Sequence, residues 1–278
     1  MLIIDTAPAL STAFIWAWAS VTYKDYMRRL SPLTVNFLRM LYTTAALTIP
    51  VVLIGLNIGA IWGSLSGLLS LAVGDSMYLM AINYSGVSVA APISYSYIPL
   101  SVLMATLLGE PLTIFKVTSG LMIMLGVYLL SRERTRVTLK GVTLALGTAV
   151  AWAVGQTMIK VADVNGLNPV SVAFVRVATA GLVLLMVNHV IHNDLTTAIK
   201  TTLHTRLPLV AILDLGIGVA LFAYSVDLIG LGFTVIVTGC MPLVAQLMAK
   251  FMSGEKLTAS KLMGAVIIVV AIATAFIQ

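Results

Sequence analysis

Charge is scarce in this chain. Asp, Glu, Lys and Arg make up 9% of its 278 residues, against about 25% in an ordinary soluble domain. Cysteine is scarcer still: the single Cys240 lies inside an apolar run, which excludes an internal disulfide and any cysteine-based metal cluster. Only three histidines occur, His189, His192 and His204, all in or near one polar stretch. There is no His-Glu-x-x-His helix, Gly-rich phosphate loop or serine nucleophile elbow. No residue is therefore assigned a catalytic or metal-binding role, and no cofactor is expected.

What fills the chain instead is apolar. Hydrophobic residues make up 60% of it, compared with about 45–50% in soluble proteins. A soluble core of this length has a limited interior, and the surplus Leu, Ile, Val, Ala and Met would coat its surface. A lipid bilayer is the solvent that surplus requires. The net charge of +6 is read as loop charge that orients the protein in the membrane, not as a nucleic-acid surface.

A span needs roughly 20 mostly apolar residues. Runs of that kind, separated by polar or Pro/Gly punctuation, predict an all-α integral membrane protein with ten transmembrane helices. They fall at 6–23, 33–54, 60–82, 87–108, 112–131, 139–159, 169–188, 207–227, 232–252 and 258–277. The longest polar stretches are about 24–32, 132–138 and 189–206. Residues 1–5 carry no basic segment and no credible cleavage site follows, so the first run reads as a retained helix.

Ten spans put both termini on one side, together with Lys116, Lys160 and Arg176. The other thirteen basic residues, among them Lys24, Arg28, Arg29, Arg132, Arg134, Arg136, Lys140, Lys200 and Lys256, fall on the opposite side. The positive-inside rule makes that richer side cytoplasmic. Both termini are then expected outside, in a multi-pass protein of the plasma membrane.

An internal repeat divides the chain. Trp16-Ala-Trp18, Lys24, Pro32 and Phe37-Leu-Arg39 recur in order as Ala151-Trp152-Ala153, Lys160, Pro169 and Phe174-Val-Arg176, 136 to 137 residues later. Gly109-Glu110-Pro-Leu-Thr113 recurs as Gly254-Glu255-Lys-Leu-Thr258, 145 residues later. The predicted units are residues 1–136 and 137–278. Each holds five spans, an odd number, so the halves are expected upside down relative to one another. Many secondary transporters share this inverted arrangement, with the site near the midplane between halves.

These landmarks resemble the EamA-type ten-helix members of the drug/metabolite transporter superfamily. The clearest matches are Pro99-Leu, Leu107-Leu-Gly-Glu110-Pro-Leu-Thr113, Gly120 and Gly126-Val, with the echo Pro242-Leu, Gly254-Glu255-Lys-Leu-Thr258 and Gly264. The Ser-Pro or Asn-Pro followed by Phe-x-Arg at the start of helices two and seven fits as well. The resemblance covers essentially the whole chain. It implies a carrier of small molecules, and a central cavity lined partly by helices one, three, six and eight. Members of the family commonly keep both termini in the cytoplasm, whereas this chain ends Phe276-Ile-Gln278 with no basic residue at either end.

Ionisable groups inside spans are functional suspects because they are costly in lipid. Asp75 in helix three and Asp214 in helix eight fall at similar depth, and Arg39 does too. On the family's cavity arrangement the two aspartates face each other, as substrate or coupling residues that could carry a proton. The opposing reading is that Arg39 or a backbone donor neutralises one of them structurally. Arg39 and Arg176 each lie seven residues beyond the proline opening their helix; as both halves share the feature, they are read as structural or pairing residues. Glu110 and Glu255 sit at turns and are read as caps or loop contacts. Trp16, Trp18, Tyr95 and Tyr97 are about mid-span, where interfacial belts do not explain them. With Trp152, Tyr78 and Gln156 they are candidate lining residues.

The reading that follows is a secondary-active or facilitative transporter of a small polar metabolite, with an amino acid among the candidates, working by alternating access. Its partners are the solute, the bilayer and a coupling proton. The alternatives are a multidrug or organic-cation exporter, for which aspartates beside aromatics are suited, and a non-transporting membrane enzyme or receptor subunit.

Overall fold

Helix starts are written in the sequence as capping residues. The side chains of Ser31, Thr138, Asn168 and Thr258 accept from the backbone N–H of Thr34, Gly141, Val170 and Lys261. Each satisfies one of the donors that a first helical turn leaves without a partner. Pro32 and Pro169 follow two of these caps, where a missing N–H costs nothing.

The computed structural model describes residues 3–131, 137–253 and 258–277, and every element of regular structure among them is helical. After a short turn at Ile3–Thr6 come α1 (Ala7–Tyr26), α2 (Pro32–Ile54), α3 (Gly59–Ser85), α4 (Val87–Leu107), α5 (Ile114–Ser131), α6 (Leu139–Val164) and α7 (Pro169–Val190). Then follow α8 (Leu195–Thr202), α9 (Leu207–Ile229), α10 (Leu231–Thr238, continuing as Met241–Ser253) and α11 (Ala259–Ala275).

Ten spans are expected from the sequence. Among the described residues, eight helices are both long and apolar enough to cross a membrane: α2 to α7, α9 and α10. The other two expected spans are α1, whose last turns carry Lys24 and Asp25, and α11, which has 17 residues, about 25 Å at 1.5 Å per residue. The expected polar stretch at 189–206 also differs, because it contains α8. That short helix starts on Asp194, whose carboxylate accepts from Thr197 N–H, and buries Ala198 and Thr202 on one face. The hydrogen bonds from Thr197 hold the exposed Asp194 carboxyl below its ordinary pKa.

Two helices break where proline demands it. Pro99 and Pro242 cannot donate to the turn before them, and the helices pause at Tyr95–Ser96 in α4 and at Gly239–Cys240 in α10. Two others widen. Gly67–Gly74 in α3 and Ile212–Gly218 in α9 are π-helical. Such stretches loosen the intrahelical ladder and commonly lie at functional sites.

Small residues set the packing. Ala9, Ala13 and Ala17 form a fully buried stripe on α1. α2 lies along α7, and α5 along α11. At the second contact Gly126 and Gly264 meet backbone to backbone, leaving no room for a Cβ on either. The outer surface is the reverse of a soluble protein's: Val52, Leu53 and Leu107 are 77%, 82% and 84% exposed.

A buried ion cluster as candidate functional site

The intramembrane charges converge. From α2, Arg39 donates through Nη2 to Asp214 Oδ2 of α9 at 2.8 Å, and its Nη1 lies 3.8 Å from Asp75 Oδ2 of α3. Asn36, one turn earlier on α2, accepts from Arg39 Nη1 at 3.1 Å and donates to the Leu71 carbonyl at 3.1 Å. Tyr23 of α1 donates to Asp214 Oδ2 at 2.8 Å, and its ring lies under the guanidinium at 4.6 Å. Asp214 is thus held from two directions and closed off, its side chain 6% exposed. The Asp75 side chain is 20% exposed and that of Arg39 17%.

Asp75 is held differently. Its Oδ1 accepts from the indole N–H of Trp152 on α6 at 3.0 Å, while Arg39 stays beyond hydrogen-bond distance of Oδ2. Trp16 of α1 donates to the main-chain carbonyl of Asp214 at 3.2 Å rather than to its side chain. Carbonyls within both π segments also accept from side chains of neighbouring helices. Leu71 O and Asp214 O take side-chain bonds from Asn36 and Trp16, while Gly74 O and Gly218 O accept from Thr148 and Thr12.

Aromatic rings extend the cluster from Asp75. Trp152 packs against Tyr78 at 5.1 Å and edge-on to Tyr97 at 5.6 Å, and Tyr97 meets Tyr95 at 5.7 Å. Tyr95 Oη reaches Met241 Sδ at 3.5 Å. Trp16 stacks on Phe222 at 5.5 Å. Trp18 packs into the apolar cluster that includes Phe37, Leu38 and Leu215, so the structure does not bring it to the array around Asp75. Gln156, one turn beyond Trp152, is buried with Oε1 lacking a hydrogen-bond partner.

Arg176 stands in different surroundings. It is 2% exposed on α7, and its Nη2 donates to Ser70 Oγ of α3 at 2.8 Å. Ser70 in turn donates to the Ser66 carbonyl at 2.6 Å. Close helix approach places it there, because a Cβ on Gly67 would collide with the Arg176 carbonyl. Gly67→Ala is expected to cost about 1–3 kcal/mol through overpacking of this contact, read as a lower melting temperature of the purified protein.

Glu110 bridges distant parts of the chain. Its carboxylate accepts from Leu231 N–H at 2.5 Å and Gly232 N–H at 3.0 Å, capping the first turn of α10 from the α4–α5 connection. Glu110→Ala is expected to cost about 1.5–3 kcal/mol, the range for a charge-assisted bond, in the same melting assay. Glu255 lies outside the described residues, as do Arg132, Arg134, Arg136 and Lys256.

The sequence reading missed Tyr23, Asn36 and Ser70. Asn36 was accessible to it, since a residue three before Arg39 shares its helix face. Tyr23 lies seven after Trp16, also one face of one helix. Ser70 gave no signal by itself.

A charge cluster sealed between apolar helices defines a polar centre inside a multi-pass membrane protein. The chain matches the EamA-like transporter family over residues 7–132 and again over 139–277, and it belongs to that family. Its long apolar helices are consistent with a multi-pass membrane protein of that family. It is 29% identical over 181 residues, 62% of its length, to a protein of Archaeoglobus fulgidus named as an uncharacterized transporter, and that match spans 64% of the relative's own length. A protein of known crystal structure superposes with a TM-score of 0.78 at 17% identity, covering 99% of this chain and 98% of that one. At that identity the likeness is one of fold.

Proposed function

We propose that this protein is a secondary-active or facilitative carrier of a small polar metabolite that works by alternating access. The solute would meet the Arg39–Asp75–Asp214 cluster between two inverted five-helix halves. The observation that carries the reading is the position of the cluster. Its charges come from α2, α3 and α9, with Trp152 of α6 and Tyr23 of α1 beside them.

Matched contacts support the two-half arrangement, with units 1–136 and 137–278. Thr12 to Gly218 O and Thr148 to Gly74 O are the same bond with the halves exchanged, the threonines 136 apart and the glycines 144 apart. A methyl on Gly218 would touch the Trp16 ring, and one on Gly74 the Trp152 ring. Gly86 and Gly230, also 144 apart, precede α4 and α10 with φ of +72° and +81°. The separate family matches to 7–132 and 139–277 agree. With α1 and α11 counted as spans the total is ten, and the basic loops then face the cytoplasm of a plasma-membrane protein with both termini outside.

Asp75, the more accessible carboxylate, is the candidate carrier of a coupling proton. A second reading, export of organic cations, is favoured by the Trp152, Tyr78 and Tyr97 rings beside it. Purified protein in liposomes discriminates them. Uptake or exchange of a polar metabolite from a panel, with ligand-dependent thermal stabilisation, supports the first reading. Flux of a lipophilic cation alone supports the second, and no flux of any solute overturns both.

A further inference from the structure

Helix α10 is packed unevenly along its length. All of residues 231–240 are buried, whereas of residues 241–248 only Val244 is. The tight half lies against α4 and α5. A Cβ on Gly232 would stand 3.7 Å from that of Ala105 and 3.8 Å from Val102 Cα, and one on Gly239 would meet Ile98 and Ile123. On another side Phe233 packs edge-on to Phe276 at 4.9 Å.

A carboxylate from the other half of the chain clasps this segment. Glu110 belongs to unit 1–136, and it accepts from Leu231 and Gly232 N–H of unit 137–278. The backbone is shaped to admit it. A Cβ on Gly230 would lie 2.9 Å from the carboxylate, and Gly230 has φ of +81°, which glycine adopts without strain. The other end of the segment is jointed. α10 pauses at Gly239–Cys240, and α4 pauses 144 residues earlier, at Tyr95–Ser96. Residues 231–240 thus form a lever with a helix break at mid-span and an ionic clasp at the tip.

From this we infer that Glu110 is the latch of a gate. Its bonds hold the first half of α10 shut against α4, and their release lets that half swing about Gly239–Cys240, opening the Gly230 end of the bundle toward the central charge cluster. The clasp suits the task better than the apolar contacts beside it. Small apolar side chains slide past one another at little cost, whereas a charge-assisted hydrogen bond is directional and is lost on a small displacement. Glu110 is a positioning residue: it sets the balance between the closed and open ends. The inference rests on the alternating-access reading above and adds the device that closes one end.

The test measures access to a buried thiol in the full-length protein in detergent, in a Cys240→Ala background that removes the native one. The reporter is Ala105→Cys, at a position 1% exposed that faces Gly232. Iodoacetamide reaches it only when the first turn of α10 lifts away. Glu110→Gln and Glu110→Asp are each expected to speed its alkylation about five- to tenfold, the weight of a charge-assisted bond. The aspartate keeps the charge but falls one methylene short of the amides. Ala180→Cys, fully buried on α7, is expected to keep its rate in both variants. Ala105→Cys combined with Gly232→Cys is expected to cross-link on oxidation by copper phenanthroline, because a Cβ separation of 3.7 Å suits a disulfide.

An unchanged rate at Ala105→Cys in both Glu110 variants overturns the latch. So does a rise in Glu110→Gln alone, since lost charge would then have altered the thiol's reactivity without any opening. An equal rise at Ala180→Cys means general loosening, as a merely structural cap would give, and also sinks the inference. Failure of the pair to cross-link removes the closed contact it starts from. Val102→Cys, which faces the same turn, is the reporter if Ala105→Cys fails to fold. No solute enters the measurement. A wild-type protein that moves no solute in liposomes therefore overturns the transport reading, while the thiol rates decide the opening separately.

Discussion

Arg39→Gln is expected to destabilise the protein by about 3–5 kcal/mol, the cost of removing one partner of a buried ion pair. The cause is what remains behind. Asp214 keeps only the Tyr23 hydroxyl at 2.8 Å, and Asp75 loses the cation 3.8 Å away. Asp214→Asn should cost less, because Arg39 retains Asn36 and the nearby Asp75 carboxylate. The double variant Arg39→Gln with Asp214→Asn should recover much of the loss, since no charge is then left unpaired at that contact. A double-mutant cycle read by melting temperature isolates the pair energy. An Arg39→Gln protein within about 1 kcal/mol of wild type would mean that water, rather than Arg39, satisfies Asp214.

Asp75→Asn should do the opposite: little to stability and much to transport. Its carboxylate is the more exposed of the two and makes one strong bond, from Trp152, which an asparagine carbonyl can still accept. What the substitution removes is the ability to gain and lose a proton and to attract a cationic group. Flux in liposomes is expected to fall at least about tenfold, corresponding to about 1.4 kcal/mol on the barrier, and to stop responding to an imposed pH gradient. Asp75→Glu should retain part of both. Flux and pH response equal to wild type in Asp75→Asn would remove the proton-carrier role from this residue, and attention would pass to Asp214.

Much of this centre was legible because charge is so costly in lipid. Asp75, Asp214 and Arg39 stand out in apolar runs, and counting residues from each helix start put them at one depth; the structure brings them to 2.8 and 3.8 Å. Family and helical class followed from composition and the repeated Gly-Glu and Pro–Arg landmarks. The partners were harder. Ser70 and Tyr23 are ordinary residues until another helix delivers a charge to them. Arg176 looked like the twin of Arg39, and only the identity of the residue facing it separates the two. Trp18 is mid-span like Trp16 but has no tryptophan counterpart in the second half, and two residues further along α1 it lies on another side of the helix, against the apolar cluster rather than hydrogen-bonded beside Asp214. α8 was hidden by its polar composition, since a helix of eight residues with one buried edge gives no hydrophobic run.

The two π segments carry a consequence for motion. A helix turns about 100° per residue when it has 3.6 residues per turn, and a π segment holds extra residues within the same helix. Sliding that surplus along α3 would swivel the stretch beyond it about the helix axis without melting any of it. Asp75 directly follows one π segment and Asp214 lies within the other. Each carboxylate thus sits where a shift of the π register would re-aim it within its own helix.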